Sequence, residues 1–370
     1  MKPLTVLHVN TELGYRGGEI QNLFLAEGLA GRGHRCVLAV PPGSGLGERA
    51  LDRGLDVREH TMRGEFDAGA SIWLAGLLRS ERPDVVHYHT SHAVTLGTWA
   101  RTLSRHPPAV ATRRTSFPTR RNPFFRLKFT LRLDRLIAVS GSIRTDLIAA
   151  GIPSERISVV HSGIDLSRFA SATGGEEFRR ELGLTSSDFL VGCVGALAAQ
   201  KGHLLLLAAV AALAPDLPQL HVALVGEGEL QGRLLDEARG LGIGDRIHLT
   251  GFRDDVPQVT TAFNLAVLPS VAGEGSPATV KEAMAAGVPV IATDIGGVRE
   301  ILEDGKQGLL ISPGSAKAIQ AALRLLIEDS QLRDTMGDAG RERARDFSME
   351  RMITKTEHVY ASLCDATTVQ

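Results

Sequence analysis

At 370 residues the chain exceeds what one ordinary hydrophobic core organises, and it suits two domains of about 150 residues plus extensions. With 43% hydrophobic and 22% charged residues the composition is that of a folding chain, which excludes global disorder, and a net charge of −1 argues against wholesale nucleic-acid binding. Cys36, Cys193 and Cys364 are odd in number and scattered, so they form neither a disulfide framework nor a metal-ligand spacing, and they suit a reducing compartment.

Residues 4–10 form a short apolar run rich in branched side chains, and no signal-peptide pattern with a cleavage site follows the first residues. The glycine pair Gly17-Gly18 separates this strand from a helical pattern carrying Ile20, Leu23, Phe24 and Leu29. Gly31 and Gly33 punctuate its end before a second strand at 35–40. The rhythm recurs at 84–89 and 136–139, and residues 158–161 read as a last strand before a turn at 162–165. A polar stretch at 171–177 places a linker near 163–175. The rhythm then restarts, with strands expected at 189–194, 221–225, 247–249, 265–268, 290–292 and 309–311. Short buried strands alternating with helices indicate parallel sheets covered on both faces. The longest apolar run, 204–214, is too short to span a bilayer. A last amphipathic helix carries Met352, Val359, Tyr360 and Leu363. The domains are therefore expected at 1–165, joined by a C-terminal helix at 350–370, and at 172–349.

Chemistry-bearing residues concentrate between 268 and 308. Ser276 followed by Pro277 suits an N-cap and first helical position, and Gly287 with Pro289 ends the helix. Glu274 then lies in the loop above that helix and Glu282 in its second turn, near the carboxyl ends of strands, where open α/β sheets bind ligands. A carboxylate there accepts hydrogen bonds from vicinal hydroxyls, each worth about 1.5–3 kcal/mol. Gly296-Gly297 precede another helix and expose backbone N–H groups to an anion. Gly226 and Gly228 follow a strand as a dinucleotide fingerprint would, but the third glycine is misplaced, because Gln231 precedes Gly232.

Two glutamates eight positions apart, Glu274 and Glu282, followed by Ala283-Met284-Ala285-Ala286-Gly287-Val288-Pro289-Val290, resemble the signature of glycosyltransferase family 4. The resemblance covers nearly the whole chain. It implies the GT-B fold, an α/β architecture of two Rossmann-like, doubly wound domains facing each other across a cleft, and retaining transfer from a UDP-, GDP- or ADP-sugar without a cofactor. By that resemblance Glu282 holds the nucleotide's ribose and Glu274 lies by the donor sugar. Lys201, in Val194-Gly195-Ala196-Leu197-Ala198-Ala199-Gln200-Lys201-Gly202-His203, neutralises the leaving diphosphate. Many members carry an arginine where this chain has Ala196. Gly17 and Gly18 match the family's N-terminal glycine pair, close to a donor phosphate or the acceptor, and His89 matches its histidine near the donor sugar's hydroxyls. Gly226 and Gly228 match the donor-side glycine loop, and Gly296-Gly297 the loop after the glutamates.

Arg113, Arg114, Arg120, Arg121, Arg126, Lys128, Arg132 and Arg135 are opposed only by Asp134, with Phe117, Phe124, Phe125 and Phe129 interleaved. Such a segment suits an anionic membrane surface or a phosphorylated, lipid-linked acceptor, with no module for nucleic acid. Arg113, Arg114 and Phe117-Pro118 resemble the acceptor region of members that build lipopolysaccharide or surface glycans. The expectation is a cytoplasmic enzyme, peripheral on the inner face of the membrane, with a glycan or glycolipid acceptor. No Asp-x-Asp motif flanks a site, and no metal is expected. A non-catalytic GT-B binding protein, a same-fold sugar-nucleotide epimerase and a nicotinamide enzyme are the alternatives.

Overall fold

The structure, a computed structural model, describes residues 2–104, 106–115, 128–129 and 133–368. The chain divides into two units, Met1–Gly163 with Met349–Gln370, and Ile164–Ser348.

The first unit is built on seven strands, β1 (Thr5–Val9), β2 (Arg35–Val40), β3 (Asp56–Glu59), β4 (Val85–Tyr88), β5 (Ala109–Arg113), β6 (Arg135–Ala138) and β7 (Ile157–Val159). They pair in parallel in the order β3-β2-β1-β4-β5-β6-β7. Period-2 alternation sends Leu7 and Val9 into one core layer and Val6 into the other. The order reverses between β1 and β4, so the crevice at their carboxyl ends opens beside Asn10 and His89.

The helix Gly17–Gly31 begins on the glycine pair itself, which forms its first turn rather than a spacer before it. The last helix, Met349–Thr368, packs on this helix, and Gly28 makes room for it: a Cβ there would sit 2.0 Å from Ile353 Cδ1. Gln21 clamps the end of the unit, accepting from Gly163 N and donating to Gly163 O, both at 2.8 Å.

The second unit has six strands, β8 (Phe189–Val194), β9 (Leu220–Val225), β10 (Ile247–Gly251), β11 (Leu265–Leu268), β12 (Val290–Thr293) and β13 (Gly308–Ile311), ordered β10-β9-β8-β11-β12-β13 and all parallel. Its reversal lies between β8 and β11, so the loops leaving these strands, which carry Lys201 and Glu274, share one crevice.

Several expectations are corrected. The stretch expected as a linker contains a short helix, Leu166–Ala170, which belongs to the second unit. The helix expected to start at Pro277 runs Ala278–Ala286, and the Ser276 hydroxyl accepts from Lys281 Nζ at 2.6 Å instead of capping. Gly287 ends that helix in the left-handed conformation, φ 75°, as its position suggested. Strands β3 and β5 have no counterpart in the expected set. Cys36 and Cys193 are buried thiols and Cys364 is half-buried. Among the described residues no helix is long and apolar enough to cross a membrane. Phe117, Pro118, Arg120, Arg121, Phe124, Phe125, Arg126 and Arg132 of the basic segment lie outside the described residues.

Candidate active site

In the second unit the crevice gathers its charged groups through backbone packing. After β8 the chain makes a turn through Ala199–Lys201 and passes Gly202 at φ 68°, where a Cβ would stand 2.1 Å from Pro269 O. The Val271 amide donates to Gln200 O at 2.8 Å, so the lysine's turn is stitched to the loop that leaves β11. Lys201 Nζ reaches Glu274 Oε1 at 2.6 Å, and Ser270 Oγ donates to the same oxygen at 2.6 Å. The Glu274 carboxylate is buried, while the lysine side chain is about a quarter exposed. Its second oxygen, Oε2, has no hydrogen bond to a described residue.

Gly296 and Gly297 hold the backbone of Glu274. The Gly297 amide donates to Glu274 O at 2.9 Å, and Gly296, at φ 54°, lies against the same carbonyl, so that a Cβ there would stand 1.9 Å from it. The helix that follows, Val298–Ile301, is a single turn. The Gly297 N–H expected to face an anion is thus already engaged in holding the glutamate's loop. Gly296→Ala combines a strained conformation with a backbone clash, and it is expected to lower stability by about 1–3 kcal/mol in urea unfolding. Because it displaces Glu274, turnover should fall at least about tenfold at temperatures where the variant is folded.

Gly226 and Gly228 bring two loops together. A Cβ at Gly226 would lie 2.1 Å from Gly195 O, and one at Gly228 2.3 Å from Leu197 O. The Leu197 amide donates to Glu227 O at 2.8 Å. These glycines fix the loop that carries Ala196, whose side chain is exposed.

Glu282, on the helix Ala278–Ala286, lines a small cleft together with Val194, Leu268, Thr279 and Ala283. Enclosure by these largely apolar walls pushes its carboxyl up to about 7, against the opposing pull of Arg168 and Lys281. Lys281, fully buried, is pushed down to about 7 by the same cause, and its ammonium lies 5.1 Å from the Phe347 ring.

The first unit has a separate polar cluster. His8 on β1 is in register with His87 on β4, and His89 follows two residues later on the same face. Arg114 Nη2 approaches His89 Nδ1 at 3.3 Å, and Nη1 donates to His89 O at 3.4 Å. A guanidinium only donates, so His89 Nδ1 accepts and its proton lies on Nε2. That proton goes to His8 Nδ1, 3.0 Å away, which leaves the His8 proton on Nε2, buried and without a partner among the described residues. His87 is held by Tyr360 Oη and Thr112 Oγ1, each at 2.6 Å.

His89 therefore has both ring nitrogens taken by the protein, and it is buried rather than presented to a ligand. The group it supports is Arg114, whose Cδ lies 3.7 Å from a Cβ built on Gly18, beside the amino end of Gly17–Gly31. Burial lowers Arg114 to about 10, with the nearby Glu19 opposing. Arg113, also lowered to about 10 by burial, lies over the Phe129 ring at 5.9 Å.

His8, His87 and His89 have ligand atoms within 4.8 Å of one another, a spacing a metal ion could use. Hydrogen bonds occupy every ring nitrogen except His8 Nε2, so the cluster reads as a bonded core. Burial lowers His8 to about 3 and holds His87 and His89 well below 6.5. The unfolded chain, with ordinary histidines, binds more protons than the folded one once the pH drops below about 6.5. Stability should then fall with decreasing pH by up to about 1.4 kcal/mol per pH unit for each histidine. His8→Leu is expected to flatten this slope between pH 6 and 4 in urea titrations.

With this geometry in hand, known proteins offer a comparison. The model of glycosyl transferases group 1 matches residues 175–343, and that of glycosyltransferase family 4 matches residues 15–168. The lipopolysaccharide core biosynthesis mannosyltransferase LpsB of Rhizobium meliloti is 30% identical over 195 residues, which are 50% of this chain and 55% of that protein. The chain thus spans about half the length of the curated relatives it matches. Among solved structures, HepE of Anabaena in complex with UDP aligns at TM-score 0.86 and 23% identity, covering 97% of this chain and all of that one. A glycosyltransferase from Rickettsia africae aligns at TM-score 0.89 and 20% identity, covering 98% and 99%. These likenesses give the GT-B fold, and with one family model on each half the chain belongs to the family 4, group 1 glycosyltransferases.

Proposed function

We propose that the chain is a retaining glycosyltransferase that moves a sugar, a hexose or a close relative, from a nucleotide-sugar to a glycan or glycolipid acceptor in lipopolysaccharide or surface-polysaccharide synthesis. The observation that carries this reading is the convergence of Lys201 and Glu274, 2.6 Å apart, where the strand order reverses, with Glu282 on the next helix. LpsB and the UDP and UDP-glucose complexes of HepE support it by kinship.

In this reading Glu282 accepts from the ribose hydroxyls, and Lys201 turns from Glu274 to the diphosphate. The free Glu274 Oε2 receives a hydroxyl of the donor sugar. The acceptor hydroxyl attacks the anomeric carbon on the face the phosphate leaves, and the departing phosphate oxygen takes up its proton. The developing phosphate charge is the main target of stabilisation. Arg114 and Arg113 hold the acceptor's anionic group, and the basic segment 113–135 meets anionic lipid at the cytoplasmic face of the membrane.

The test is a panel of UDP-, GDP- and ADP-sugars offered with and without a crude glycolipid fraction. Acceptor-dependent release of one nucleotide, lost in Glu282→Ala, is the expected result. Failure to bind any nucleotide-sugar would overturn the reading. A non-catalytic binding role is favoured by one observation, the exposed Ala196 where many members have an arginine; it predicts donor binding without turnover.

A further inference from the structure

The carboxylate of Glu274 has two donors on one oxygen, and only one of them is free to leave. Lys201 is a long, partly exposed side chain. Ser270 is fully buried and its backbone is fixed on every side. Its carbonyl accepts from Thr293 Oγ1 at 2.6 Å, the preceding Pro269 O lies against Gly202, and the following Val271 amide donates to Gln200 O.

The final torsion of a glutamate is soft, so a carboxylate with one mobile partner has no fixed plane. From this geometry we propose that Ser270 is the positioning residue for Glu274. Its hydroxyl holds Oε1 when Lys201 turns to the diphosphate, and so keeps Oε2 aimed at the donor sugar. This rests on the transferase reading above. It assigns the serine a task that begins only when donor is bound, because in the free protein Lys201 holds the same oxygen. Ser270 touches no substrate and acts through Glu274 alone.

The experiment is a double-mutant cycle of Ser270→Ala and Glu274→Gln, assayed by nucleotide release from UDP-glucose or GDP-mannose, whichever the wild type consumes. Ser270→Ala should lower kcat by about tenfold, the weight of one hydrogen bond to a charged group. KM for the donor and the calorimetric Kd of the free nucleoside diphosphate should stay within about twofold, because the ribose and phosphate contacts are untouched. In the Glu274→Gln background the serine substitution should cost little further. A general packing defect would instead lower activity by the same factor in both backgrounds and lower the melting temperature with it. Equal losses in both backgrounds, or an unchanged kcat in Ser270→Ala, would overturn the inference and leave the transferase reading standing. A wild type that consumes neither donor and binds neither nucleotide would overturn both.

Discussion

Lys201→Ala is expected to reduce turnover by about 10²–10³-fold, the effect of removing one preorganised donor from developing charge. The lysine's backbone is fixed before any ligand arrives, by Gly202 against Pro269 O and by the Val271 amide on Gln200 O. Ala196 presents no second cation from the same loop, so no neighbour there makes good the loss. Lys201→Arg should restore little, because the turn is built for a slim point charge at 2.6 Å from Glu274 rather than a planar fork. The substitution also leaves the buried Glu274 carboxylate with Ser270 as its one donor among the described residues. Lys201→Ala should therefore destabilise the free protein in urea, by less than the 3–5 kcal/mol typical of a fully buried pair because the lysine is partly exposed. Adding Glu274→Gln should recover part of that loss. Wild-type kcat in Lys201→Ala would show that the diphosphate is neutralised elsewhere.

Glu282→Gln should separate binding from stability. Loss of the charge weakens hydrogen bonds to two ribose hydroxyls, so donor affinity should fall by about 10–100-fold in calorimetry. With the carboxyl at about 7, wild-type affinity should decline as the pH is lowered through neutrality and the acceptor takes up a proton. The variant should bind weakly with little pH dependence. Stability moves the other way. The folded carboxyl holds its proton up to about 7 while the unfolded one gives it up near an ordinary glutamate value, so ionisation at pH 8 destabilises the folded state. Glu282→Gln should then be more stable than wild type at pH 8, by about 1–3 kcal/mol, with the advantage fading toward pH 4.5. Equal stability at pH 8 would mean that the enclosure of this carboxyl costs nothing.

What could be read from residues alone follows from what each signal encodes. Buried strands such as β8, and β9 beyond His221, are continuous apolar runs, and both were legible. Strand β3, Asp-Val-Arg-Glu at the sheet's edge, has no apolar face to betray it, and β5 is a five-residue stretch that merges into the arginines. Glu274, Glu282 and Lys201 stood out because a signature carries them. Ser270 did not, because a serine after a strand is an ordinary turn residue until its carboxylate partner is in view. The glycines were legible as special but not as to purpose. Gly296 and Gly297 read as N–H donors for an anion and Gly226 and Gly228 as a donor-side loop, whereas here each allows one backbone segment to pass close to another or holds it there. His89 was found by its place in the chain, but its tautomer depends on Arg114, twenty-five residues away and on another strand's end.

The last helix has a consequence for how the chain matures. Tyr360 completes the His87 hydrogen-bond pair, Ile353 fills the notch at Gly28, and Gly163 lies against Met349. All of these partners come from the first 163 residues, so when the ribosome has finished them the sheet of the first unit still exposes the face this helix will cover. The continuous stretch 164–348 has its own core and no such debt. During vectorial synthesis the segment made second is therefore able to close first, and the segment made first must wait, with an apolar surface open to chaperones, until residues 349–368 emerge.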